Sequence, residues 1–365
     1  MEGIGWFSHE ILKRLAQQHP EHDFYFIFDR PYSPIFLFGP NVHPIVIGPP
    51  ARHPFLFVLW FEWSLKRALD RIKPDVFFSP DGFLSLSTDI PSVPVIHDLN
   101  FEHFPEDLPW LVRKYYQYYF PKFAVKAKRV ITVSEFSKHD IVQCYNISPE
   151  LITVAYNGLR ENFKPESELN RQKFRVKKTS GKNYFLFVGA LHPRKNIHRL
   201  LQAYDIYRSN GGETNRLLIV GGTYWWNKTL KQAYEGMIYR DEVVFSGHLA
   251  QNDLAMAMAS AEALVYVPYF EGFGVPIIEA FACGTPVIAG NLSSLPEVAG
   301  GAALLVDPMD PQQIADGMKR LQSDSELRSR LIEAGLKRAQ EFNWDKSAEI
   351  VWHVIEKVLK QEKHA

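Results

Sequence analysis

Glu271 and Glu279 bracket the stretch "EGFGVPIIE", with Gly272, Gly274 and Pro276 between them. The run upstream, "ALVYVPY", has the β-branched and aromatic composition of a strand buried on both faces. Pro276 suits the start of a helix, and "IIEAFACG" stays apolar until Gly284, a natural stop. Glu271 is therefore expected in a loop and Glu279 on a helix. The two glycines let the backbone approach a ligand, and a helix start aims unpaired amides and partial positive charge at the same spot. Phosphate needs such amides, while carboxylates accept hydrogen bonds from sugar hydroxyls. A phosphorylated sugar would use both. The plainer reading is a tight turn with Glu271 solvated and Glu279 on a polar helix face.

A second group points the same way. In "FVGALHPRKNIHRLL" a strand ends at Gly189, and Arg194 and Lys195 precede a helix that Asn196 is expected to cap. Arg by bidentate geometry and Lys as a point charge suit a diphosphate, although a solvated basic turn has the same composition. His97, with Asp98 beside it, ends the strand-like "VPVIHDL"; a structural histidine is the competing reading. Ser134 is expected as an N-cap. The run "WLVRKYYQYYFPKFAVKAKR" mixes cations with aromatics and holds no acid, which fits contact with an anionic membrane or a buried aromatic helix with a solvated basic face. Trp225 and Trp226 fit a sugar site or a filled loop.

Other chemistries lack their signatures. The chain has no H-E-x-x-H, P-loop or G-x-S-x-G pattern, and no D-x-D pair for an ion bridging a diphosphate. The 365 residues carry formal net charge +0, so no global field recruits nucleic acid. The two cysteines, Cys144 and Cys283, lie far apart in apolar helical contexts, which speaks against a disulfide framework or a cysteine metal site and fits a reducing cytosol. No signal-peptide pattern opens the chain, and the longest apolar run, "PFLFVLWFEW", is about half a membrane span.

Positioning these residues requires a scaffold. "FYFIFD", "HPIVIG", "DVFFSP", "VPVIHDL", "RVITVS" and "ITVAYNG" read as strands with helical segments between them. After a polar stretch the alternation restarts with "YFLFVGAL", "RLLIVGG", "VVFSGHL", "ALVYVPY", "PVIAG" and "AALLVD". The expected fold is α/β, two doubly wound Rossmann-like domains facing across a cleft. Residues 1–160 form the N-terminal domain, 161–183 a linker, 184–345 the C-terminal domain and 346–365 a helix packing back on the body. The chain opens on the glycine turn "GIGWFS", with Gly3 and Gly5 running into an amphipathic helix and no strand before it. Only part of a dinucleotide fingerprint is present there.

Together "EGIGWFSHEIL", "VIHDL", "ITVSEFSKHDI", "VAYNG", "FVGALHPRKN", "LLIVGG", "FSGHL", "EGFGVPIIEAFACGTPVIA" and "LPEVAGGAALLVDP" resemble the retaining nucleotide-sugar glycosyltransferases of the GT-B fold, glycosyltransferase family 4. The resemblance covers nearly the whole chain, and the two spaced glutamates followed by "GTPVI" are its most specific element. It implies hexose transfer, of mannose or glucose type, from a nucleoside diphosphate sugar such as GDP-mannose or a UDP-hexose to a glycan or lipid-linked acceptor. It implies no cofactor and no metal, and a cytoplasmic protein peripheral to the inner membrane face. By the same likeness Arg194 and Lys195 contact the diphosphate, Glu279 the ribose, and Glu271 with the Gly272 to Val275 loop the donor sugar. Ser246 to Leu249 border the base, and His97 reaches the transferred sugar from the opposite domain. Gly3 and Gly5 form the N-domain glycine loop. Family members carry a first strand ahead of that loop, so a shortened start is expected here. A sugar-nucleotide epimerase or phosphorylase, and a non-catalytic nucleotide-sugar binder, are the competing readings.

Overall fold

The computed structural model describes residues 3–222 and 226–362. The chain divides into two units, the first made of residues 1–158 and 343–365 and the second of residues 159–342.

In the first unit, helix α1 (Gly3–Gln18) buries Phe7, Ile11 and Leu15, spaced four apart so that one face is apolar. Six strands follow: β1 (Phe24–Phe28), β2 (Val42–Val46), β3 (Phe77–Ser79), β4 (Ser92–Pro94), β5 (Val130–Thr132) and β6 (Ile152–Val154). They pair in parallel as β1 with β2, β3 with β4 and β5 with β6, and a bridge from Val95 to Ile131 links the last two pairs. The β1–β2 ribbon is a separate two-stranded sheet among the described residues. Helices α2 (Asn100–His103), α3 (Trp110–Lys126) and α4 (Glu135–Tyr145) cover β4 to β6 around a core of Leu84, Ile96, Phe101, Phe120, Phe123 and Ile141. Ser134 caps α4 as expected, its hydroxyl accepting from the Ser137 amide.

The structure corrects three expectations. Gly3 and Gly5 do not form a turn; both lie in the first turns of α1, where the Ser8 hydroxyl donates to the Ile4 carbonyl at 2.9 Å, a back-bond typical of helix. The C-terminal helix runs Trp344–Glu362 and belongs to the first unit: Arg14 pairs with Asp345 at 2.7 Å, and the Ser347 hydroxyl donates to the Tyr156 carbonyl at 2.6 Å. The second unit accordingly ends at Phe342 rather than at residue 345. Residues 161–183 are not a linker, because helix α5 (Glu168–Thr179) packs into the second unit with Arg175 buried and donating to the Ser260 carbonyl at 3.1 Å.

The second unit is one six-stranded parallel sheet of β7 (Tyr184–Val188), β8 (Arg216–Val220), β9 (Val243–Gly247), β10 (Ala263–Tyr266), β11 (Val287–Gly290) and β12 (Leu304–Val306). Its order is β12-β11-β10-β7-β8-β9. The strand order reverses between β7 and β10, and at such a switch point the loops leaving the two neighbouring strands diverge and open a crevice. The loops after β7 and β8 abut so closely that a Cβ on Gly221 would lie 1.9 Å from the Gly189 carbonyl oxygen. Only glycine fits there.

Candidate donor-binding site

Arg194, Lys195, Glu271 and Glu279 all sit at the switch point. The loop after β7 leads through a turn at Pro193–Lys195 into helix α6 (Ile197–Ser209), and the loop after β10 leads into helix α7 (Val275–Ala282). The two loops are tied together: the Tyr269 amide donates to the Arg194 carbonyl at 3.1 Å. The Ser294 hydroxyl pins the second loop, bridging the carbonyls of Glu271 at 2.9 Å and Phe273 at 3.0 Å. Gly274 begins α7 with φ of 103°, a left-handed conformation, and a Cβ there would strike Leu295 at 2.8 Å. At the other end Gly284 takes φ of 68° and closes the helix, with the Thr285 amide on the Ala280 carbonyl at 2.9 Å.

Asn196 does not cap α6 with its side chain. Its backbone is left-handed at φ 61°, and its buried amide donates to the carbonyls of Val267 at 2.9 Å and Pro308 at 2.6 Å. Three loops are thereby joined at one side chain. A buried amide must find acceptors, and two stranded carbonyls outcompete a cap.

Glu271 is 7% exposed, and its Oε1 accepts from Arg194 Nη1 at 2.5 Å and from Lys195 Nζ. Lys195 Nζ also donates to the Tyr266 hydroxyl at 2.6 Å. Burial works to raise the Glu271 pKa, but the two cations outweigh it and hold the carboxyl below its ordinary value. Tyr266, pushed well above the ordinary phenol range by burial, stays neutral. Arg194 and Lys195 bring two cations, with the Glu271 carboxylate between them, beside the N-terminus of α7, whose first amides have no helical acceptor. Such a grouping suits an anion.

Glu279 lies on α7, 3% exposed, with both bonds from Arg160 falling on Oε1: from Nε at 3.1 Å and from Nη2. Burial pushes its pKa up, and the Arg160 charge offsets this only in part. Gly272, Phe273 and Gly274 form the turn between the two carboxylates, and Val275 opens α7. Ser246 and Gly247 end β9 at the sheet edge, and His248 and Leu249 follow it. Trp225 lies outside the described residues, whereas Trp226 packs edge-on against Phe245 at 5.1 Å. Sequence reading passed over Arg160, Tyr266 and Ser294. Tyr266 carried a signal, since a phenol at the end of a buried strand needs a polar partner; the other two carried none.

The comparisons with known proteins give the family. Residues 1–163 match the family described as Glycosyltransferase Family 4, and residues 169–338 match Glycosyl transferases group 1. The O-antigen chain mannosyltransferase B of Escherichia coli is 30% identical over 282 residues, covering 76% of this chain and 73% of that one.

The chain belongs to glycosyltransferase family 4.

The O-antigen chain mannosyltransferase RfbU of Salmonella typhimurium is 32% identical to this glycosyltransferase over 228 residues, 62% of this chain and 60% of that relative. The HepE structure from Anabaena, in complex with UDP and glucose, superposes with a TM-score of 0.77 at 19% identity, over 98% of this chain and 96% of that one. The architecture is the two-domain, Rossmann-like GT-B fold of a glycosyltransferase.

In the transferase's first unit, His97 follows β4 and is half-buried, with Nε2 at 2.8 Å from the Pro80 carbonyl. A carbonyl can only accept, so the ring carries its proton on Nε2 and offers Nδ1 as an acceptor. Phe7 meets the ring edge-on at 5.1 Å. Burial lowers the His97 pKa, against the Pro80 bond and the charges of Asp98 and Asp81. The unfolded chain then binds this proton more readily than the folded one, so stability rises with pH between the depressed value and the ordinary one and is lost as pH falls through that window. His97→Gln, which can keep the Pro80 bond, should flatten this acid limb in denaturation curves taken at about pH 5 and about pH 7.5. An unchanged limb would show that another group sets it.

Proposed function

We propose that this glycosyltransferase moves a hexosyl group, mannosyl before glucosyl, from a nucleoside diphosphate sugar to a glycan or lipid-linked acceptor, with retention at the anomeric carbon and without a metal bridging the diphosphate. The observation that carries the reading is the convergence of Arg194 and Lys195 at the switch point beside the start of α7. Charge grows on the diphosphate as the bond to the sugar breaks, and fixed donors aimed at it are worth more in the transition state than in the ground state. Those two cations supply what a bridging divalent ion would otherwise supply. Glu279 keeps Oε1 for Arg160, which leaves Oε2 to accept from the ribose hydroxyls. Glu271, ionised and saturated on Oε1 by two cations, is an acceptor for donor-sugar hydroxyls rather than an unencumbered nucleophile, which favours a front-face path over a covalent intermediate. His97, neutral with Nδ1 as acceptor, is the residue of the first unit proposed to meet the transferred sugar.

Mannose leads because both relatives are named as mannosyltransferases, and a UDP-hexose is the second choice because the HepE complex holds UDP and glucose. The deciding experiment incubates the protein with GDP-mannose and a panel of UDP-hexoses, with acceptor glycans, in the presence and absence of added magnesium or manganese. Transfer with the donor's anomeric configuration kept in the product, read by NMR, is expected. An inverted linkage would overturn retention, strict dependence on the ion would overturn metal independence, and epimerised donor or phosphate-dependent sugar phosphate without transfer would overturn the acceptor reading.

Among the described residues no helix is long and apolar enough to cross a membrane. The reading reaches a lipid-linked acceptor through peripheral contact on the cytoplasmic face, and the surface of helix α3 supports it. Helix α3 exposes Trp110, Tyr118 and Val125, and Lys122 stacks over the Tyr118 ring at 3.3 Å. Aromatic groups beside cations suit an anionic headgroup layer. The protein should co-sediment with vesicles containing anionic lipid and not with purely zwitterionic ones; equal pelleting in both would remove the electrostatic part of this reading.

A further inference from the structure

Away from the donor site, the first unit gathers three side chains of metal-binding type. His103 is the last residue of α2, and Asp140 and Cys144 sit one turn apart on α4. His103 Nε2 lies 2.7 Å from Asp140 Oδ1; Cys144 Sγ lies 3.5 Å from that oxygen and 4.0 Å from the imidazole nitrogen. One nitrogen, one oxygen and one sulfur thus face a common point, with all three within 4.8 Å of one another. From these positions we infer that His103, Asp140 and Cys144 form a binding site for a borderline-soft divalent cation, zinc above all, which clips α2 to α4.

The distances fit that ion. Zinc bonds of about 2.0 to 2.3 Å in a tetrahedron set donor atoms roughly 3.3 to 3.8 Å apart. The sulfur–oxygen edge already has that length, and the sulfur–nitrogen edge is slightly open. The nitrogen–oxygen edge is short because a proton holds it, and a cation in the proton's place would widen it. Asp140 and Cys144 share one helix face, so their spacing is set by the backbone, whereas His103 comes from the end of a second, short helix.

A second observation comes from Asp140 alone. The residue is 6% exposed, and its Oδ2 is buried without a hydrogen-bond partner. An unmatched buried carboxylate oxygen costs stability, and a cation drawing on the whole carboxylate removes that cost. Binding balances simply. The imidazole proton moves from Nε2 to Nδ1 by tautomer exchange, the Cys144 proton is released to solvent, and carboxylate and thiolate neutralise the two positive charges. Cys144 and His103 are the exposed members, so the fourth position faces water. Counting cysteines in the sequence spoke against such a site, because one thiol is too few for a cysteine framework; a mixed set needs only one.

The test uses the full chain. Cobalt(II) serves as the probe, since a thiolate ligand gives a near-ultraviolet charge-transfer band and a tetrahedral site gives strong visible bands. Both should saturate at about one equivalent and disappear on adding zinc. Cys144→Ser should abolish the charge-transfer band, His103→Ala should weaken binding, and Cys283→Ser should change nothing. Zinc should raise the melting temperature of the wild type and not of the Cys144 variant. Absence of the band in the wild type, or its persistence in Cys144→Ser, overturns the site.

Discussion

Glu271→Gln is expected to lower the turnover of sugar transfer by about 10²- to 10³-fold, the scale of losing one fixed polar group that acts in the transition state. The substitution keeps the shape and an acceptor oxygen but removes the charge on which Arg194 and Lys195 converge. Arg194 and Lys195 then lose the carboxylate they share. Binding of the nucleoside diphosphate product should therefore hold or tighten while turnover falls, a split that general damage to the fold would not produce. Truncation to alanine confuses the two effects, because it also removes the packing and both acceptor oxygens of a buried side chain and costs stability as well. The measurement is kcat with GDP-mannose beside calorimetry with GDP and UDP. Near wild-type kcat in the glutamine variant would remove Glu271 from the mechanism, and product affinity falling in parallel with turnover would make it a packing residue.

Arg160→Leu should be the most destabilising single change in the second unit. Arg160 is the partner that the structure gives the Glu279 carboxylate, and that carboxylate is 3% exposed. Removing one member of a buried pair costs about 3 to 5 kcal/mol, since the other is left charged in a poor solvent. The carboxyl escapes by taking a proton. Its pKa already lies above the ordinary value and would rise further without the guanidinium. The folded state then holds a proton that the unfolded state has released, so the loss is largest above the raised folded pKa and fades as pH falls toward the ordinary glutamate value near 4.3. Chemical denaturation at about pH 8 and about pH 5 should show the difference. The double variant Arg160→Leu with Glu279→Leu should recover most of the stability and none of the donor binding. Equal losses at the two pH values with no recovery in the double variant would mean that the ion pair is not what holds α7 in place.

These two carboxylates also show how far the sequence reached. Each of the twelve apolar runs expected as strands became a strand, because β-branched and aromatic composition between turn residues is a local signal and both faces of a parallel sheet demand it. The loop-to-helix reading of "EGFGVPIIE" was equally local, resting on Gly274, Pro276 and Gly284.

Where local rules met a competing partner they failed. Asn196 has the right chemistry for a cap but was taken by the carbonyls of Val267 and Pro308. The polar stretch after Arg160 looked like a linker because charged residues outnumber apolar ones, yet Phe174 and the stem of Arg175 suffice to seat α5.

The sequence by itself determined the βα alternation, the two units and the residue types at the strand ends, because periodicity and turn chemistry act over a few positions. Only the tertiary structure decided which charges meet. Arg160 and Glu279 are 119 positions apart, Lys195 and Glu271 76 apart, and the His103 and Asp140 pair is drawn from two helices. Such pairs are settled by the order of strands in the sheet and by the burial that makes an unpaired charge costly, neither of which leaves a mark in any short window of the chain.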